Sequence, residues 1–117
     1  MNVTYTFPWP PSVNHYWISM VTGKRVRVIV GKKGVYFRTE VGYVVGECTP
    51  TSDRLEVHID AYPPDNRKRD LDNMMKATLD AMEHAGVYEN DAQIDMLSIH
   101  RKSVTPGGKL VVTIRSI

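Results

Sequence analysis

The sequence has little of what is typical of secreted and membrane proteins. Its 117 residues include a single cysteine, Cys48, which cannot form an intramolecular disulfide. The longest apolar runs span a few residues, far short of the ~20 that cross a bilayer, and no basic segment followed by an apolar one opens the chain. We therefore expect a reduced, cytoplasmic protein with no signal peptide and no membrane contact, folded as one domain over residues 1–117.

Several common site motifs are absent as well. No glycine-rich loop ends in Gly-Lys-Ser/Thr, so we expect no nucleotide cofactor. The four histidines have neither His-x-x-x-His spacing nor a cysteine partner, which argues against zinc, and no Ser-His-Asp signature is present. An EF-hand that started at Asp70 would need a glutamate at the position of Ala81.

The charges of the chain are segregated. The net charge is only +2, from 15 basic and 13 acidic residues, yet residues 60–95 carry nine of the acids. The stretch from 24 to 38 has no acid and holds six basic residues, Lys24, Arg25, Arg27, Lys32, Lys33 and Arg38. This pattern fits an ordinary solvated surface, or a basic surface for a polyanion beside an acidic pocket for cations. Charge alone does not choose between the two.

The first half of the chain predicts a strand, a hairpin and a helix. Residues 3–7 alternate apolar and polar side chains and indicate a strand, which ends at the proline-rich loop 8–12. Apolar stretches on both sides of Gly23 predict a basic hairpin that projects from the body. We expect a mobile loop at 31–34, and the apolar spacing over 35–48 predicts a helix.

The second half predicts a strand, a helix and two further strands. Strict alternation over 54–62 indicates a half-buried strand. Residues 71–85 carry an apolar stripe at 3.6-residue spacing, with Asp72 at the N-cap or in the first turn. Residues 94–102 and 109–116 predict an antiparallel hairpin. The order β-α-β-α-β-β indicates a single α/β domain with a mixed sheet and two helices.

An acidic motif, Asp70-Leu71-Asp72-Asn73, lies at the start of the second helix. In an extended segment, residues two apart point the same way, so the carboxylates of Asp70 and Asp72 would face one site. Mg²⁺ prefers such oxygen ligands, and a cation relieves the repulsion between two carboxylates. Asp91, which follows the helix, is a third acid that joins them only if the connecting turn folds suitably.

Basic residues flank this motif. Residues 67–69 are Arg-Lys-Arg, directly before Asp70, and Lys76 lies one turn after Asp72. Asp-x-Asp alone is a weak signal because short acidic motifs mostly cap helices, and Lys76 can be read as one half of a weak i,i+4 ion pair. Hydrolysis of a phosphodiester, however, needs both cations that hold the backbone and a metal beside it.

These residues belong to a longer pattern. Its parts are Arg69-Asp70-Leu71-Asp72-Asn73 with Lys76, Asn90-Asp91-Ala92-Gln93, Pro8-Trp9-Pro10-Pro11-Ser12 with Asn14, Pro63-Pro64-Asp65, Gly86, and the glycines before the last strand. Their joint spacing covers nearly the whole chain and resembles the RusA family of Holliday junction resolvases. That family consists of small, phage-derived bacterial endonucleases.

The resemblance implies a bacterial or phage-encoded homodimer that binds a four-way DNA junction and nicks two opposed strands, using Mg²⁺, in DNA recombination and repair. It implies that Asp70, Asp72 and Asp91 hold the metal and act in catalysis, with Lys76 as an essential basic residue. Asn14 is expected near the site and in contact with the DNA. DNA is then the expected partner of the basic residues Lys24, Arg25, Arg27, Lys32, Lys33, Arg67, Lys68 and Arg69.

Two stretches depart from the family pattern. Residues 18–34 are more hydrophobic and more hairpin-like than its polar loop, and the helix predicted over 35–48 contains glycine. The alternative function is a non-catalytic DNA-binding or assembly module whose acids only cap a helix. Asp-x-Asp glycosyltransferases also bind metal through paired acids, but they need a nucleotide-sugar domain far larger than this chain.

Overall fold

The computed structural model describes all residues, 1–117, as six strands, three α-helices and one 3₁₀ turn. In chain order the elements are β1 (Asn2–Pro8), α1 (Val13–Tyr16), β2 (Trp17–Thr22), β3 (Arg25–Val30), α2 (Lys32–Val45), β4 (Leu55–Tyr62), α3 (Asp72–His84), the 3₁₀ turn (Asp91–Gln93), β5 (Ile94–Arg101) and β6 (Lys109–Ser116).

Four of the strands form one mixed sheet in the order β1-β6-β4-β5. Strand β6 pairs antiparallel with both β1 and β4, while β5 runs parallel to β4. Along β4 the side chains from Leu55 to Tyr62 alternate between buried and half-buried, which suits a central strand with one face on the core. The predicted α/β class and mixed sheet are confirmed, whereas the predicted number of two helices is wrong, because the short α1 is a third.

The predicted pairing of β5 with β6 is wrong, because β4 lies between them. Helix α3 carries the chain back, so that β5 adds to β4 in parallel, as helical crossovers do. The chain then passes the end of β4, where the Lys102 N–H donates to the Ala61 carbonyl at 2.8 Å and the Thr105 N–H to the Pro63 carbonyl at 2.8 Å. Alternating side chains predict both strands but satisfy either placement equally well.

Helices α2 and α3 cover the buried face of the sheet and share one core of 17 buried residues with it. From α3, Met74, Thr78 and Met82 point into this core, as the predicted stripe requires. A large apolar side chain contributes about 1.5–3 kcal/mol when it is fully buried, so this layer holds α3 firmly on the sheet. No helix of the protein is both long and apolar enough to span a membrane.

Helix α2 confirms the predicted helix but begins three residues earlier than predicted. The expected mobile loop is therefore wrong in part, because Lys32 to Gly34 form the first turn of α2. Gly34 is required there, since a Cβ atom at this position would lie 2.6 Å from the Tyr16 carbonyl oxygen. The helix ends at Val45, before the predicted end at residue 48, and its C-cap Gly46 has a φ of 68°, in the left-handed region that favours glycine.

Strands β2 and β3 form a separate two-stranded hairpin, as predicted, with a turn at Gly23 and Lys24. Most of its side chains are exposed, and only its root contacts the body of the protein. Cross-strand partners share a face, so Arg25 and Arg27 lie on one side, while the pair Val21 and Val26 lies on the other. One face of the hairpin therefore carries both arginines, together with Met20 and Ile29, and the other carries mainly valines.

Candidate active site at the start of helix α3

The acidic motif does not adopt the extended conformation predicted for it. Leu71 has helical dihedral angles, φ −62° and ψ −35°, and the Asn73 N–H donates to the Asp70 carbonyl at 3.2 Å. The chain has already begun to turn at Asp70, so side chains two apart do not face each other. Asp70 and Asp72 point into two adjoining clefts, and Asn73 lines both of them.

The cleft that contains Asp70 has a volume of about 370 Å³ and is walled by the proline-rich loop. Lys68 and Arg69 line it beside the carboxylate. Arg69 is held in place, with its guanidinium carbon 5.6 Å from the centre of the Trp9 ring and Nη1 2.8 Å from Asp65 Oδ1. The hydrogen bond from Arg69 to Asp65 is the largest cause that holds the pKa of the Asp65 carboxyl below its usual range.

The cleft that contains Asp72, of about 420 Å³, also holds Lys76. The Lys76 ammonium nitrogen lies 5.1 Å from the centre of the Trp17 ring, a cation–π contact. Asp72 and Lys76 are one turn apart on α3, so both face the same cleft. This cleft therefore brings together a carboxylate and an ammonium group whose position an aromatic ring restricts.

Trp17 is itself braced by a polar network inside the protein. Its ring centre lies 4.2 Å from that of Tyr16, which is fully buried. The Tyr16 hydroxyl donates to Asp80 of α3, and Arg38 of α2 donates to the same carboxylate at 2.8 and 3.0 Å. Burial, together with this bond to Asp80, raises the pKa of Tyr16 above its usual range. The network ties α1, α2 and α3 together behind Lys76.

Asp91 does not join the other two acids within one chain. Its backbone N–H donates to Glu83 Oε1 at 2.8 Å, and Glu83 lies in the last turns of α3. Along the helix axis that position is about 16 Å from Asp72. No three side chains of His, Cys, Asp or Glu cluster closely enough in the chain to hold a metal ion. The connection after α3 does not fold back toward the start of the helix.

The residues at the start of α3 nevertheless suit Mg²⁺ in their chemistry. Asp70, Asp72 and Asn73 offer hard oxygen ligands, and both carboxylates are exposed. Mg²⁺ keeps several waters and is commonly bound by one or two carboxylates together with substrate phosphate. Asp70 and Asp72 therefore fit one part of such a site, whereas a site of all three acids does not fit within one chain.

The other predicted DNA-binding residues lie in four places, on the hairpin, on the approach to α3, on α1 and in the first turn of α2. Lys24, Arg25 and Arg27 are exposed on the hairpin, and Arg67 is exposed on the approach to α3. Asn14 is exposed on α1, next to residues that line the two clefts. Lys32 and Lys33 lie in the first turn of α2 and line a third groove on the far side of the proline-rich loop.

Comparison with known proteins shows the family of the chain. The sequence model of the family described as "Endodeoxyribonuclease RusA" matches residues 8–115. The chain belongs to the RusA family. It is 37% identical over 116 residues to the crossover junction endodeoxyribonuclease RusA of Escherichia coli K12. The matched region covers 93% of this chain and 90% of that protein.

Phage proteins of the RusA family are similar at the same level. The crossover junction endodeoxyribonuclease rusA of Enterobacteria phage HK97 is 34% identical over 116 residues, with 97% of this chain and 93% of that protein covered. The protein of the same name from Enterobacteria phage 82 is 36% identical over 116 residues. The resemblance to the RusA family drawn from the sequence is thereby confirmed.

Three residues that line or brace this candidate site had no predicted role. Trp9 and Trp17 each hold a cation at about the same distance, 5.6 and 5.1 Å. Asn73 lies between the two carboxylates and lines both clefts. Their only sequence signal was position, since Asn73 belongs to the acidic motif and Trp9 to the proline-rich loop.

Proposed function

We propose that this protein is a Mg²⁺-dependent endonuclease that cuts four-way DNA junctions with paired, symmetric nicks in DNA recombination and repair. The observation that carries the proposal is the start of α3, where two carboxylates and two positioned cations line adjoining clefts in a chain of the RusA family. Carboxylates hold the metal and cations hold the phosphodiester, which is the pairing that phosphodiester hydrolysis requires.

The residues at the start of α3 have different roles in this reaction. Asp70 and Asp72, in the two adjoining clefts, would hold the ion, which when bound would polarise a phosphoryl oxygen and make a nucleophilic water available. Lys76 faces the same cleft as Asp72 and stabilises the negative charge that accumulates on the phosphate. Lys68 and Arg69 orient the DNA backbone beside Asp70. Positioned donors of this kind are effective because they need little reorganisation during the reaction.

We also propose that the working form is a homodimer in which Asp91 of one copy completes the site of the other. In one chain Asp91 lies beside Glu83, about 16 Å along α3 from Asp72, so a site that uses all three acids needs a second copy. Two equal sites related by a two-fold axis match the two equivalent strands of a four-way junction. The dimer thereby places two cuts symmetrically.

The direct test is cleavage of a synthetic four-way junction with and without Mg²⁺. We expect paired nicks in opposed strands when Mg²⁺ is present, none in EDTA, and much less cleavage of a linear duplex of the same sequence. A protein that binds the junction but leaves it intact at every Mg²⁺ concentration would instead be a DNA-binding module. Glu47→Gln, at an exposed acid away from the start of α3, is the matched control for loss of an acid.

A further inference from the structure

A third groove lies on the opposite side of the proline-rich loop from the Asp70 cleft. It has a volume of about 360 Å³, at the lower end of the range for small-molecule sites. One wall is the loop itself, with Trp9, Pro10 and Pro11, which also line the Asp70 cleft. The other wall is the first half of α2, with Tyr36 and Lys32 among its residues. A strand that crosses this loop from the Asp70 cleft would enter the groove next.

The lining of this groove suits one nucleotide. Tyr36 is 68% exposed although it is aromatic, so its ring is available for stacking. Lys32 and Lys33 stand beside it and take part in no ion pair of the protein. Grooves that hold unpaired nucleotides combine these two features, an aromatic platform for the base and cations for the backbone.

The far end of the groove offers an acceptor. Glu40 lies two turns after Lys32 on α2, about 12 Å along the helix axis, and lines the same groove. A carboxylate there accepts a hydrogen bond from the exocyclic amino group of a base, while it repels phosphate. The two ends of the groove therefore differ in chemistry. The lysines suit the DNA backbone, and Glu40 suits the base.

We propose that this groove binds an unpaired nucleotide at the branch point of the DNA junction, and that Tyr36 stacks on its base. In an intact duplex the faces of every base are covered by its neighbours, so only an unstacked base can use the ring. The groove then recognises DNA structure and contributes to the preference for junctions over duplex. This inference rests on the proposed function, because it assumes that junction DNA is the substrate.

The test compares Tyr36→Ala with the wild type in binding to a four-way junction and to a duplex of the same sequence, both in EDTA. We expect Tyr36→Ala to weaken junction binding about tenfold, in the range for loss of one stacked base, and to change duplex binding less than twofold. Tyr36→Phe keeps the ring and should retain the affinity. Tyr43→Ala is the matched control, since Tyr43 is 80% exposed on the same helix but lies outside the groove.

A second measurement uses the fluorescent base 2-aminopurine, placed at the branch point. Stacking on Tyr36 should quench the fluorescence of 2-aminopurine when the wild type binds, and not when Tyr36→Ala binds. Equal losses of junction and duplex affinity, unchanged junction affinity, or unchanged quenching would each overturn the inference. Cleavage by the wild type with Mg²⁺ is measured separately. If the wild type cuts junctions and Tyr36→Ala binds them normally, nucleotide binding in the groove is refuted and the proposed function is retained.

Discussion

The protein presents positive charge in two regions that are built differently. At the start of α3, Arg69 and Lys76 are held against tryptophan rings at 5.6 and 5.1 Å, and Arg69 is also paired with Asp65. On the hairpin, Lys24, Arg25 and Arg27 are exposed and take part in no ion pair. One region restricts its cations, and the other leaves them free in solvent.

The difference separates two tasks of a DNA-cutting protein. A cation that stabilises a reacting phosphate must occupy one position, so its surroundings restrict it. Cations that attract the DNA backbone act over several ångströms and gain from mobility, since they release counterions wherever they meet phosphate. We therefore expect changes at the start of α3 to affect cleavage more than binding, and changes on the hairpin to affect binding more than cleavage.

The largest effect is expected from the acids at the start of α3. Asp70→Asn and Asp72→Asn should each lower the cleavage rate by more than about 100-fold, because losing a metal ligand costs more than losing a residue that supports one. Binding to the junction should be retained or slightly tighter, since a negative charge beside phosphate is removed. Single-turnover cleavage and gel-shift titrations check the two parts, and normal cleavage by either variant would contradict the assignment.

Neutralising the basic residues of the hairpin should weaken DNA binding and leave cleavage of bound DNA nearly unchanged. The triple variant Lys24→Gln, Arg25→Gln and Arg27→Gln removes up to three phosphate contacts. The negative slope of log Kobs against log salt should therefore become shallower by about 2.7. The cleavage rate of DNA already bound should stay within about twofold. Affinity measured from 50 to 200 mM salt tests this, and an unchanged slope would place the hairpin away from DNA.

Loss of the Trp17 ring should slow cleavage with little effect on junction binding. Trp17→Leu removes the cation–π contact with Lys76, so we expect cleavage of bound junction to slow about tenfold while junction affinity changes little. Trp17→Phe keeps an aromatic face and should recover part of the rate. Single-turnover rates and gel-shift affinities of both variants check this, with the circular dichroism of each compared with that of the wild type to show that the fold is retained. A rate for Trp17→Leu equal to that of the wild type would mean that Lys76 is positioned without the ring.

The smallest effect concerns acid pH. The bond to Arg69 lowers the pKa of folded Asp65, so the ion pair stabilises the folded state above the usual pKa of aspartate and is lost as pH falls through the lowered value. Asp65→Asn should therefore have a slightly lower Tm than the wild type at pH 7, and the gap should close below about pH 4. Thermal unfolding across this range measures it, and a gap that is constant with pH would contradict the pairing.

Most of the fold follows from local patterns in the sequence. The alternation along β4 and the apolar stripe of α3 each reflect one buried face, which a short window of sequence reveals. The order of strands does not follow in this way, because β5 and β6 satisfy the same alternation whether they pair with each other or flank β4. Contacts distant in the sequence, such as Lys102 with Ala61, decide between these arrangements.

Only part of the candidate site could be singled out from the sequence, and its geometry could not. Asp70, Asp72 and Lys76 could be singled out because their spacing is local. The turn at Leu71 separates the two carboxylates, and it depends on where α3 begins, to within a residue. The rings of Trp9 and Trp17 come from distant parts of the chain, so no local pattern could have paired them with Arg69 and Lys76.

Mixing two inactive variants tests most directly whether a second copy completes the nuclease site. Asp72→Asn and Asp91→Asn are co-expressed with different tags, and the mixed dimer is purified and given a four-way junction with Mg²⁺. If Asp91 acts across the dimer, one of the two sites is intact, and the mixed dimer nicks single strands although each parent is inactive. If all three acids act within one chain, both sites carry a lesion and the mixed dimer stays as inactive as its parents, which would contradict the account.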